Sequence, residues 1–320
     1  MITVVLWHVV YFGYNKYLLG FSTAIMTFSM PLFFFISGFI FYKESRVWCL
    51  SEWLNIFKSK FKVQIIPTVI TLAIFIPFLQ LDIIEVIQSG THGGYWFTIT
   101  LFGYFIIYGL IMLFSRRLSK GKISILAFII AILLDILTRK SPYPIAHFIM
   151  FQYFVYFVFG TIARQYFPIF QKFITNQYIS SPLIFIWIVS LLLFHTITEL
   201  EFCRNFITYF LWGFMGIIIV FHFFEKYQDS FKKETKLGML LQYIGRRTLD
   251  IYLLHYFFIP RNLSIIGDFF EKNPNPTIEI FLSFLIAMLV IGLCLLTSNI
   301  IRISPFLAHW MFGVKYNNLK

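Results

Sequence analysis

Apolar runs of bilayer length, separated by short basic clusters, dominate this chain and leave it few folds to adopt. A hydrocarbon core of about 30 Å needs roughly twenty apolar residues in a helix. In lipid, every backbone polar group must also find its partner inside the protein. Such runs lie near residues 1–14, 24–42, 63–79, 96–114, 123–137, 147–163, 179–195, 206–224, 240–260 and 277–301. The strict apolar–polar alternation of a membrane β-barrel is absent. The expectation is an all-α fold, a polytopic transmembrane helical bundle of about ten spans forming one domain over residues 1–320. Composition agrees: 59% of the residues are hydrophobic and 12% charged, too little charge to cover a soluble domain of this length. Cys49, Cys203 and Cys294 are scattered, with no CxxC pair and no metal-ligand spacing, which suggests neither a disulfide framework nor a metal site. The first apolar helix can itself direct insertion without a cleaved signal.

Basic residues then orient the chain, because cytoplasmic loops collect Lys and Arg. With the N-terminus inside, 20 of the 26 lysines and arginines fall in cytoplasmic segments, which puts both termini in the cytoplasm. The net charge of +12 is therefore a topology signal, and nucleic-acid binding is a poor reading of it without a soluble basic domain. The first run, Met1 to Tyr14, covers only about 21 Å at 1.5 Å per residue. The expectation is that it is re-entrant or, preferably, that the given sequence starts part-way through the helix.

Ionisable groups inside spans are costly and mark functional candidates. His8 lies among Val4, Val5, Leu6, Trp7, Val9 and Val10. It reads either as a neutral imidazole bonded to a neighbouring carbonyl or as a general base towards a hydroxyl. His255 follows Asp250 by five positions, about 140° around a helix, so those two do not form a close dyad. Arg247 and Asp250, three apart, suit an ion pair. Asp135 sits late in its span, and His92, His147, His195, His222 and His309 fall near span ends or in loops, where interfacial roles suffice. Trp96, Tyr178 and Trp310 read as belt anchors. Pro31 can kink the second helix, while Ser37 and Gly38 permit close helix approach. Lys58, Lys60 and Lys62 precede Pro67 at the mouth of the third span, placed to hold an anion or to snorkel to lipid phosphates.

These pieces occur in a recognisable order. The first-span histidine is followed by Met30-Pro31-Leu32-Phe33-Phe34-Phe35-Ile36-Ser37-Gly38-Phe39. Then come the basic run ending near Pro67, Trp96-Phe97 with Leu101-Phe102, and late in the chain Ile244-Gly245-Arg246-Arg247-Thr248-Leu249-Asp250-Ile251-Tyr252-Leu253-Leu254-His255. Over essentially its whole length the chain resembles the acyltransferase family 3 membrane proteins, which include O-acetyltransferases of bacterial surface polysaccharides.

The resemblance implies an integral membrane enzyme, multi-pass in the cell membrane, that moves an acyl group, usually acetyl, from cytoplasmic acyl-CoA to a carbohydrate hydroxyl. Acyl-CoA is then a co-substrate, with no bound cofactor; the lipid bilayer and the carbohydrate acceptor are the other partners. The family's first-helix histidine maps to His8, whose economical role is general base. Lys60 and Lys62 fall where the family usually has arginines, and the resemblance assigns them to the CoA phosphates. Lysine lacks the bidentate guanidinium fork, so the expectation is phosphate binding that is weaker or differently arranged. The family's arginine eleven positions before the histidine would fall ahead of Met1, so the expectation is a start placed too late or a truncated chain, with inactivity expected only if the truncation is real. A transporter or exporter of a glycan intermediate is the alternative from another class, and a catalytically dead scaffold is a third. The lack of an obvious inverted repeat counts against the transporter.

Overall fold

The computed structural model describes residues 1–14, 20–89, 91–139, 149–192, 211–261, 263–273 and 275–314. Among them the regular structure is helical throughout. In chain order the helices are α1 (Ile2–His8), α2 (Gly20–Phe41), α3 (Leu50–Lys60), α4 (Ile66–Phe78), α5 (Ile83–Gln88), α6 (Trp96–Phe114), α7 (Lys120–Arg139) and α8 (Phe154–Gln165). There follow α9 (Phe167–Thr175), α10 (Gln177–Leu192), α11 (Trp212–Lys226), α12 (Lys236–Arg246), α13 (Thr248–Phe258), α14 (Ser264–Lys272), α15 (Pro276–Ile301) and α16 (Pro305–Phe312). A π-helical stretch, Val9–Gly13, continues α1, and a second, Phe61–Ile65, joins α3 to α4.

The expectation of about ten spans is not met. Four helical stretches among the described residues are long and apolar enough to cross a membrane: Leu50–Phe78, Trp96–Phe114, Lys120–Thr138 and Thr277–Ile301. A fifth is reached only if α9 and α10, bent by 69°, count as one span. The physical reason is that hydropathy registers apolar runs but not helix breaks. The run 240–260 is cut at Arg247 (φ −104°, ψ 15°) into two helices of 11 residues each. The run 147–163 reduces to α8, 12 residues long behind a 3₁₀ turn at Phe151–Tyr153. Among the described residues the apolar stretches Ile2–Gly13 and, within α2, Thr27–Phe41 fall below the length needed, and parts of the runs 179–195 and 206–224 lie outside the described residues. The even crossing number on which the placement of both termini rested goes with the ten spans. Membrane embedding itself stands, and the chain is a multi-span membrane protein. On α7, for example, Ile125, Ile129, Leu133, Ile136 and Leu137 face outward, apolar surface that lipid covers without cost.

The chain divides into two compact units. One comprises Met1–Phe33 with Tyr166–Thr297, the other Phe34–Gln165 with Ser298–Lys320. In the first, α1 is tied down at its exit: Gly13 abuts the Pro260 carbonyl and Gly267 of α14 abuts the Tyr14 backbone. Tyr14 is fully buried, and its hydroxyl accepts from Ser283 of α15 at 3.1 Å. In the same unit Trp212 of α11 donates to Ser190 of α10 at 2.7 Å, which satisfies a buried indole.

In the second unit, α2 and α8 cross backbone to backbone. A Cβ on Gly38 would collide with the Phe157 carbonyl, and one on Gly160 with the Phe35 carbonyl. Small residues thus permit the close approach expected of Ser37-Gly38, where dispersion replaces a hydrophobic drive. Phe34, fully buried, stacks on Tyr153 at 5.3 Å and meets Phe97 and Tyr104 at 5.0 Å. Ala127 and Ala131 line the buried face of α7, which packs on α8. Polar side chains in α4 are satisfied locally, Thr68 and Thr71 donating to the Gln64 and Pro67 carbonyls at 2.7 and 2.8 Å.

Candidate active site

Two constellations, one in each unit, carry the candidate chemistry. The first is built on His8. It is the last residue of α1, 8% exposed, and the helix widens into its π stretch immediately after it. Such widenings occur mostly as single turns inside α-helices and are frequent at functional sites. His255, wholly buried in α13, brings its Nε2 to 2.9 Å from Nδ1 of His8, and the rings stack with centroids 5.0 Å apart at 19°. On the far side of His255, Nδ1 lies 2.7 Å from the Tyr252 carbonyl oxygen and 3.1 Å from that of Ile251. On the far side of His8, Nε2 lies 3.2 Å from the Tyr256 hydroxyl. The four groups form one hydrogen-bonded row inside an apolar unit. Trp7 and Tyr11 stack beside it at 4.8 Å and 21°, and Phe12 meets His8 at 5.7 Å.

In the sequence His8 and His255 stand as separate candidates, with Asp250 the acidic group nearest His255. The structure brings the two histidines together, 247 residues apart in the chain. Asp250 turns instead to Arg247, Oδ2 to Nη1 3.3 Å, the pair expected from their spacing. Tyr256 was missed, because a tyrosine in a membrane helix carries no signal of its own. His222 and His309 hold structure. Nδ1 of His222 is 2.6 Å from the Ile174 carbonyl and that of His309 is 2.7 Å from the Val314 carbonyl. His92 is buried in the turn before α6 with φ 45°. His147, His195 and Cys203 lie outside the described residues.

The second constellation is a cavity of about 560 Å³ in the other unit, lined among others by Lys43, Arg46, Asn55, Lys60 and Gln64. The Lys60 ammonium rests 4.0 Å from the centre of the Phe105 ring, a cation–π contact that keeps it poised at the wall. Arg46 is braced on three sides: it donates to the Phe41 carbonyl at 3.0 Å, pairs with Glu52 at 3.2 Å and covers the Phe41 ring at 4.6 Å. Burial draws its guanidinium down from the ordinary value and Glu52 opposes that shift, so it stays a cation at neutral pH. Gln64 is buried, and its amide oxygen has no hydrogen-bond partner among the described residues. Three cations against one carboxylate, with an orphaned acceptor on the wall, suit an anionic ligand that carries N–H groups. Lys62 is exposed within the π stretch and is not among the lining residues.

No curated protein and no solved structure matches the chain. The family model for acyltransferase family 3, described as "Acyltransferase domain", matches residues 1–297, which include both histidines of the row and the whole basic cavity. That match spans nearly the entire sequence, and the chain belongs to the acyltransferase 3 family.

Proposed function

We propose that the protein is an integral membrane O-acyltransferase that moves an acyl group, acetyl first among candidates, from acyl-CoA to a hydroxyl of a cell-surface or lipid-linked carbohydrate. The observation that carries this reading is the buried His8 imidazole with Nε2 turned to a hydroxyl, that of Tyr256. The Tyr256 oxygen marks the place of the acceptor. When a substrate hydroxyl takes that place, His8 Nε2 accepts its proton as the oxygen attacks the thioester carbonyl. The C–S bond then breaks, and the thiolate of CoA leaves with the proton returned from His8.

Aromatic surroundings favour a sugar as acceptor. The Trp7–Tyr11 stack offers flat faces, and the Trp7 indole N–H is buried without a partner among the described residues. For the donor, Lys43, Arg46 and Lys60 suit the pyrophosphate and 3′-phosphate of CoA, with Lys62 adding charge from outside the cavity. The Gln64 amide oxygen suits an N–H of the pantetheine arm. We assign the basic end of this unit to the cytoplasm, where acyl-CoA is found.

The test is acetyl transfer, followed as release of free CoA thiol and labelled acceptor, by membranes containing the protein. His8→Ala is expected to abolish transfer. Transfer that survives the substitution removes His8 from the chemistry, and glycan export by the same variant would favour a transporter instead.

A further inference from the structure

We infer that His255 is a positioning residue, which fixes His8 in the tautomer that leaves Nε2 as the base. The inference rests on the reading of His8 as general base and follows from the direction of three hydrogen bonds. A carbonyl oxygen only accepts, so the Nδ1 of His255, 2.7 Å from the Tyr252 oxygen, carries a hydrogen. In neutral imidazole the other nitrogen then holds a lone pair, and Nε2 of His255 is an acceptor. The His8 Nδ1, 2.9 Å away, must therefore be the donor. With its hydrogen on Nδ1, His8 presents a lone pair at Nε2, and the Tyr256 hydroxyl donates to it at 3.2 Å. The reverse tautomer would set two lone pairs against each other across 2.9 Å in a buried site.

The order thus begins at a backbone carbonyl of α13 and ends at the reactive nitrogen. An orienting group bonded to the second nitrogen of a base is the general device for fixing both its tautomer and its ring angle. Here the orienting group is a neutral imidazole rather than a carboxylate. The resting site therefore carries no buried charge, and the proton that His8 takes up leaves its Nδ1–H bond to His255 intact.

The experiment uses the full chain in lipid nanodiscs with ¹⁵N-labelled histidine, His8 being assigned by its loss in His8→Ala. The wild-type spectrum is expected to show His8 protonated on Nδ1 and bare on Nε2. His255→Phe keeps the ring volume but removes the acceptor; it should lose the single tautomer and lower kcat about 100-fold, with KM for acetyl-CoA unchanged. His255→Gln restores an acceptor near the place of Nε2 and should return the tautomer and bring kcat to within about tenfold of wild type. A wild-type His8 protonated on Nε2 overturns the inference. So does a His255→Phe protein with full kcat, or a Gln variant as impaired as the Phe variant while both insert and fold. If the Phe variant fails to fold, the wild-type spectrum and the Gln variant still decide. Because the spectrum needs no turnover, it is read separately from the question of whether His8 does acyl-transfer chemistry at all.

Discussion

Lys60 and Lys62 are two positions apart in sequence and physically unlike. The first is half-buried, sits on the Phe105 ring and lines the cavity; the second projects from the π stretch into the open. A charge-assisted hydrogen bond in a sheltered site is worth about 1.5–3 kcal/mol, whereas an exposed charge is screened and worth well under about 1. Lys60→Ala is therefore expected to raise KM for acetyl-CoA about tenfold or more, and Lys62→Ala less than about threefold. Steady-state kinetics of the two variants side by side check this, and equal effects would place the phosphates outside the cavity. The residue scale also shows what sequence reasoning reaches. His8 stands out because an imidazole in an apolar run needs a reason, and Arg247–Asp250 follows from spacing. The His8–His255 bond does not follow from either, since a contact across 247 positions has no local periodicity.

At the scale of elements, helix class and most helix positions were legible, while helix breaks were not. Arg247 leaves the helical region and Asn176 separates two helices bent by 69°. Both lie in short polar stretches, Arg246-Arg247-Thr248 and Thr175-Asn176-Gln177, which do not by themselves say where a helix stops. Both π stretches follow a candidate residue, His8 or Lys60, and nothing in local composition announces them. The α2–α8 crossing was legible from Ser37-Gly38, though its partner Gly160 was not. That crossing reverses an ordinary expectation. Gly→Ala inside a helix normally gains about 1 kcal/mol. At Gly160 a Cβ would overlap the Phe35 carbonyl, and overpacking costs about 1–3 kcal/mol. Gly160→Ala should lower the melting temperature in detergent, while Gly292→Ala, whose Cβ meets nothing within 4 Å, should hold or raise it. Thermal unfolding of the two variants reads the sign directly.

At the scale of the whole chain, charge distribution outlasts the revised span count. Between Lys62 and Arg116 there is no Lys or Arg, and the acidic Asp82 and Glu85 lie in that interval. Within this unit the spans Leu50–Phe78 and Trp96–Phe114 run out and back. The segment before α3 and the start of α7 then share one end. Lys120 donates to Glu44 at 2.8 Å across that end and holds the Glu44 carboxyl below its usual value. Lys43, Arg46, Arg116, Arg117, Lys120 and Lys122 gather there, and α5 with Asp82 and Glu85 is at the other. By the positive-inside rule the basic end is expected to face the cytoplasm. Single cysteines at Ser45, Ser119 and Gln88, in a chain with Cys49, Cys203 and Cys294 replaced by serine, report on this. In intact cells a membrane-impermeant maleimide should label only the cysteine at position 88, and in inverted vesicles those at 45 and 119. Labelling of 45 and 119 from opposite sides would mean that one of the two spans does not cross, and labelling of both from outside would remove the basic cavity from the compartment of its proposed acyl donor.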